Sequence, residues 1–129
     1  MDSTMSTTAK KRQALIVEDE VLIAMVAAEA LQEIGFTTVE VASAKAALQA
    51  VKRTIFDVAL IDVGLPDRRG DELAAEVRTL HSELPIIIAT GYSSQPLVDR
   101  FRTDRQIVIL NKPYDFTQIQ AAINTLTIP

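Results

Sequence analysis

The feature that most constrains this chain is a rhythm. Short apolar, β-branched runs alternate with stretches of helical periodicity from residue 13 almost to the end. That alternation is the signature of successive βα units, whose parallel strands are buried on both faces and whose helices cover the sheet. Strands are expected at 14–17, 38–41, 58–61, 86–89 and 107–110. The first helix should turn Ile23, Val26, Ala27, Ala30 and Ile34 toward the core and stop at Gly35. Ser43 should cap the second, whose buried side reads Ala44, Ala47, Leu48 and Val51. Leu73, Val77 and Leu80 mark the third helix, and Leu97, Val98 and Phe101 mark a short fourth. A fifth begins at an Asp115 cap, with Gln118 three residues on, and buries Phe116, Ile119, Ile123 and Leu126.

The 129 residues fit one α/β domain of (βα)5 type. Residues 1–12, Ser/Thr-rich and ending in Lys10-Lys11-Arg12, are expected to be a flexible tail, and 13–129 the folded domain, with no output domain attached. A chain without cysteine has no disulfide, thiolate zinc site or cysteine nucleophile, which fits the cytoplasm. A net charge of -4 has the wrong sign for direct nucleic-acid binding. The longest apolar runs, 21–28 and 85–89, fall short of the roughly 20 residues that cross a bilayer. His81 has no ligand or triad partner nearby in the pattern and is expected to face solvent.

In an open parallel sheet the residues just after each strand converge on a crevice where ligands bind. Here those residues are Glu18-Asp19-Glu20, Asp62, Thr90-Gly91 and Asn111-Lys112-Pro113. Carboxylates gathered in one crevice repel one another unless a cation neutralises them, and hard oxygen donors with room for water suit Mg²⁺. Asp19 and Asp62 are the expected direct ligands, with Glu18 acting through water and the Gly64 carbonyl completing the shell. With the ion in place, Asp62 is a nucleophile for a phosphoryl group whose oxygens the metal, Lys112 and Thr90 stabilise. Glu20 and Asp71, at helix starts, read more simply as caps or macrodipole partners.

Three other readings fit less well. A flavodoxin-like nucleotide or flavin binder needs a phosphate-cradling loop after strand one, which Glu18-Asp19-Glu20 would repel. A phosphorylation-independent interaction module need not keep Asp19, Asp62, Thr90 and Lys112, yet all are present. An aspartyl phosphohydrolase needs an acid two residues beyond its nucleophile, where this chain has Gly64.

The stretches Leu15-Ile16-Val17-Glu18-Asp19-Glu20, Leu60-Ile61-Asp62-Val63-Gly64-Leu65-Pro66-Asp67, Ala89-Thr90-Gly91 and Lys112-Pro113 together resemble the receiver domain of two-component response regulators, the CheY-like type, over residues 13–127. The resemblance implies a doubly wound sheet of strand order 2-1-3-4-5. It also implies a stand-alone receiver whose Asp62 takes phosphate from a sensor histidine kinase or phosphotransfer protein, followed by autodephosphorylation. Such a receiver signals to an unidentified protein target as a monomer or a phosphorylation-dependent homodimer. The face made by helix four, strand five and helix five, with Arg100, Arg102 and Arg105, is the expected output surface.

Receivers of this kind carry an aromatic residue three places before the lysine, where this chain has Ile109. Tyr92 either takes over part of that aromatic's switch role or lies over the pocket mouth, and the second is favoured. Residues 21–28 contain no polar side chain, which leaves Leu22 and Met25 off the core stripe as an apolar patch that invites a partner. By resemblance, Leu22 and Met25 with Pro113 and Tyr114 form the kinase contact.

Overall fold

Strand β1 (Arg12–Val17) leads into α1 (Val21–Ile34), and the pattern repeats through β2 (Phe36–Val41), α2 (Ala44–Arg53), β3 (Val58–Asp62) and α3 (Gly70–Leu80). It closes with β4 (Ile86–Thr90), α4 (Gln95–Arg100), β5 (Ile107–Asn111) and α5 (Phe116–Thr125) in a computed structural model that describes residues 11–128. The strands form one parallel sheet in the order β2-β1-β3-β4-β5. β1 lies inside the sheet, next to its edge; the chain steps from it to β2 at that edge and returns to β3 on the other side. The carboxyl ends of β1 and β3 therefore border the point where strand order reverses.

Alternating strand residues feed two cores. Ala14, Ile16, Leu60, Ile87 and Ala89 pack under α1 and α5, while Leu15, Val17, Ile61, Ile86 and Ile88 pack under α2, α3 and α4. Every residue of β3 and β4 is buried, which is why these strands read as unbroken apolar runs. Truncating a fully buried isoleucine such as Ile87 to Ala would cost about 2–5 kcal/mol.

Local signals placed the helix ends well. Ser43 Oγ accepts from the Ala46 N–H, and Asp115 with Gln118 forms a reciprocal capping box. Gly35, at a φ of 120° that disfavours a side chain, ends α1.

Side-chain facing departs from expectation in several places. The buried stripe of α1 is Ala24, Ala27, Ala28, Ala30 and Leu31, while Val26 is 45% exposed and Ile23 and Ile34 sit at the margin. A face of small alanines lets the helix approach the sheet closely, so the larger side chains stay at its rim. Leu80 and Phe116, expected in the core, are exposed at a helix end and a helix start respectively. Leu48 and Phe101 are only partly buried, and Val98 is exposed.

β2 begins two residues earlier than expected, because Phe36 is buried and pairs with Arg12. Arg12 opens β1 rather than closing a tail, and stacks over the Phe36 ring. The remainder of the expected tail, up to residue 10, lies outside the described residues. His81 is not solvent-facing. It is half-buried, with Nε2 2.9 Å from the Val51 carbonyl oxygen, tying the ends of α2 and α3 together.

Candidate functional site

Parallel pairing carries on just past the strand ends and sets the positions of the side chains there. The Glu18 N–H donates to the Val41 carbonyl (3.0 Å), Val63 N–H to Ala89 (2.9 Å) and Lys112 N–H to Thr90 (2.8 Å). Glu18, Asp62 and Thr90 are consequently buried at the carboxyl edge of the sheet, and Asp19 is exposed beside them. One carboxylate oxygen from each of Glu18, Asp19 and Asp62 lies within 4.8 Å of the others. Lys112 reaches in from the end of β5, its Nζ 3.1 Å from Asp62 Oδ1, 3.2 Å from Glu18 Oε1 and 3.7 Å from Glu20 Oε2.

Burial, and then the Asp62 charge, raise the Glu18 carboxyl above its usual range, against the lowering effects of the Glu20 N–H and of Lys112. Burial works against the Lys112 ammonium, but hydrogen bonding and charge from Asp62 and then Glu18 outweigh it and raise its pKa. The carboxylates of Glu18, Asp19, Asp62 and Glu20 stand around the single Lys112 ammonium, so the crevice has a net negative formal charge. Hard oxygen donors with this residual charge, open to solvent on the Asp19 side, fit a divalent cation that keeps part of its water shell.

The loop between β3 and α3 wraps the Asp62 carboxylate. A Cβ built on Gly64 would lie 3.4 Å from Asp62 Oδ2, so the Gly64 backbone borders the acidic cluster. Gly70 closes the loop by donating its N–H to the Val63 carbonyl at 2.9 Å. Asp67 crosses to α2, where its two carboxylate oxygens accept from the Ala44 and Lys45 N–H groups, each at 2.9 Å. Asp71 does more than complement the helix dipole. It is buried and binds Arg69 (3.0 Å) and, across to α4, Arg100 (2.8 Å). Arg102 pairs with Asp99, while Arg105 is exposed.

Thr90 Oγ1 accepts from the Tyr92 N–H at 3.0 Å, and the Tyr92 carbonyl accepts from Asn111 at 3.3 Å. The Tyr92 side chain is 76% exposed, and Ile109 is half-buried against the α2/α3/α4 core. Beside Lys112 lies an apolar groove of about 390 Å³ lined by Leu22, Ile23, Val26, Lys112, Pro113 and Tyr114. Leu22 is exposed, as its place on α1 implied; Met25 is half exposed but lies outside the groove lining.

Tyr114 corrects an expectation. It is 8% exposed, not a free surface contact, because its ring joins the core with Leu110 and Ile119. Its hydroxyl is buried without a hydrogen-bond partner, and burial, followed by the charges of Glu18 and Asp62, holds its pKa well above the ordinary tyrosine value.

Sequence reasoning missed Gly70, Asp67, Ile23 and Val26 as residues around the site. For Gly70 a signal existed, a glycine where a turn-rich loop meets a helix. Asp67 closes the receiver-like stretch 60–67, but nothing local pointed to its partners, which lie 22 and 23 residues away in the chain.

Residues 14–124 match the sequence profile of the response regulator receiver domain. The transcriptional regulatory protein PdtaR of Mycobacterium tuberculosis is 33% identical over 122 residues, 94% of this chain and 59% of that protein. The sensor kinase CckA of Brucella abortus is 29% identical over 114 residues, 87% of this chain and 12% of that protein. The chain thus spans less than two thirds of either relative. A CheY-like receiver domain from Methylobacillus flagellatus superposes with a TM-score of 0.79 at 28% identity, covering 92% of this chain and 100% of that one. The response regulator TrrA of Thermotoga maritima, solved in complex with Mg²⁺ and BeF, superposes with a TM-score of 0.74 at 25% identity, over 90% and 99% of the two chains. Among the described residues no helix is long and apolar enough to cross a membrane.

Proposed function

The chain belongs to the response regulator receiver domain family, and from that membership we propose that it is a phosphoacceptor of a two-component relay, taking the phosphoryl group on Asp62. The observation that carries this reading is the Lys112 ammonium bridging Asp62 and Glu18 inside a cluster of three carboxylates.

In this reading a carboxylate oxygen of Asp62 forms the new O–P bond as the P–N bond to a donor phosphohistidine breaks, and the electron pair returns to the imidazole. Lys112, already 3.1 Å from Asp62, turns to one phosphoryl oxygen. Thr90 donates its hydroxyl to another, since the Tyr92 N–H occupies an acceptor position on Oγ1 and leaves its proton free. Asp19 and Asp62, Glu18 through water and the Gly64 carbonyl would hold Mg²⁺, which supplies neutralisation of the phosphoryl charge. Hydrolysis of the acyl phosphate resets the protein.

The phosphohistidine donor, a sensor kinase or phosphotransfer protein, docks on the groove of Leu22, Ile23, Val26 and Pro113 beside Lys112. The chain acts as a relay component in the cytoplasm. The face of α4, β5 and α5 contacts the target through Arg105 and its neighbours.

Intact mass after incubation with acetyl phosphate or phosphoramidate, with and without Mg²⁺, tests the reading. A single Mg²⁺-dependent, base-labile phosphoryl adduct absent from Asp62→Asn supports it; no adduct with either donor overturns it.

A further inference from the structure

The loop at 63–70 carries Gly64 against the Asp62 carboxylate and is tied down at both ends by backbone hydrogen bonds, Val63 N–H to Ala89 and Gly70 N–H to Val63, each 2.9 Å. Between these ties Leu65 packs on the α2/α3/α4 core, and Pro66 fixes its own φ near -65°. Arg68 and Arg69 tie the loop to α3 through Glu76 (2.7 Å) and Asp71 (3.0 Å), and Asp67 anchors it to α2. The Asp67 side chain is solvent-exposed, yet both carboxylate oxygens are committed to the first turn of α2.

α2 has a cap of its own. Ser43 Oγ accepts from Ala46 at 3.1 Å, so Asp67 reaches N–H groups that a local cap leaves over. The negative carboxylate also complements the positive end of the helix. A side chain that spans from loop to helix while a local cap is present does two things at once: it finishes the helix, and it fixes the loop against a rigid element. Gly64 is three residues from Asp67, within about 10 Å of chain, so little slack separates the anchor from the metal-facing backbone.

We propose that Asp67 is a positioning residue: by bracing the 63–70 loop on α2 it holds the Gly64 backbone in place against the Glu18, Asp19 and Asp62 carboxylates, and so sets Mg²⁺ affinity. The proposal rests on the reading of that cluster as a Mg²⁺ site.

Calorimetric titration of the full chain with Mg²⁺, alongside melting temperatures recorded without metal, separates bracing from capping. Asp67→Ala should weaken Mg²⁺ binding roughly tenfold, with Asp67→Asn, which keeps one acceptor oxygen, falling in between. Ser43→Ala removes a cap from the same helix; it should lower the melting temperature yet leave the Mg²⁺ Kd within about twofold of wild type. Wild-type affinity in Asp67→Ala overturns the proposal, as does a Ser43→Ala loss equal to that of Asp67→Ala. Absence of Mg²⁺ binding in the wild type overturns both the proposal and the reading of the cluster, whereas binding that Asp67→Ala leaves unmoved overturns the proposal alone.

Discussion

A Cβ placed on Gly70 would lie 1.9 Å from the Asp62 carbonyl oxygen and 2.6 Å from its carbonyl carbon. The start of α3 is therefore seated directly on the backbone of the residue proposed to carry the phosphoryl group. Gly70→Ala sets side chain against main chain, where no rotamer relieves the clash, so α3 or the end of β3 must shift. We expect a loss of about 1–3 kcal/mol by chemical denaturation, with weakened Mg²⁺ binding. Wild-type stability in Gly70→Ala would show that the seat is looser than the geometry states.

Lys112 is the cation that Glu18 and Asp62 share inside the sheet edge. Lys112→Met keeps much of the side chain's volume but leaves two buried carboxylates facing each other. It should destabilise the metal-free protein by about 2 kcal/mol, discounted from the loss for a fully buried pair because Lys112 is partly solvent-exposed. Mg²⁺ should return part of that stability, since it replaces the missing positive charge. A variant that melts like wild type in chelator would contradict this account of the crevice.

Mg²⁺ should itself raise the melting temperature of the wild type, by the equivalent of about 2.7 kcal/mol at one hundred times the Kd. Asp19→Asn and Asp62→Asn should each lose most of that gain, because each removes a charged oxygen donor from the cluster. Thermal scans across a Mg²⁺ series read this directly, and an undiminished shift in both variants would place the ion elsewhere.

Two N–H groups of α2, from Ala44 and then Lys45, hold the Asp67 carboxyl below its ordinary pKa. A carboxyl depressed in the folded state stabilises fully above its unfolded pKa and loses that contribution as pH falls through the folded value. The gap in melting temperature between wild type and Asp67→Ala should thus be flat from neutrality down to about pH 5 and narrow below about pH 4. Scans from pH 7 to pH 3 check this; a gap that widened in acid would reverse the sign.

Leu22 lines the groove beside Lys112 and is 76% exposed, whereas Met25 is 47% exposed and outside it. Leu22→Glu should slow phosphotransfer from a phosphohistidine protein about tenfold, the loss of an interface contact of roughly 1.4 kcal/mol. Phosphorylation by acetyl phosphate should be unchanged, and Met25→Glu should have the smaller effect. Equal loss with both donors would sink the docking assignment.

Strand and helix order, the caps at Ser43 and Asp115, the stop at Gly35 and the gathering of Glu18, Asp19, Asp62, Thr90 and Lys112 at one sheet edge were all legible in the chain. These follow from local rules: a period near 2 or 3.6, a capping side chain, and the fact that parallel strands deliver their next residues to the same edge. What tertiary structure decided depends on distance and volume between segments remote in sequence. The alanine face of α1 won over its larger side chains because close approach to the sheet rewards small residues there. Tyr114 went into the core because Leu110 and Ile119 offered its ring a place that solvent did not. Asp67 and Gly70 took their roles from partners set by the packing of α2 against α3 and of α3 against β3. Periodicity records which faces are apolar, but which atoms meet across them is settled only when the helices close on the sheet.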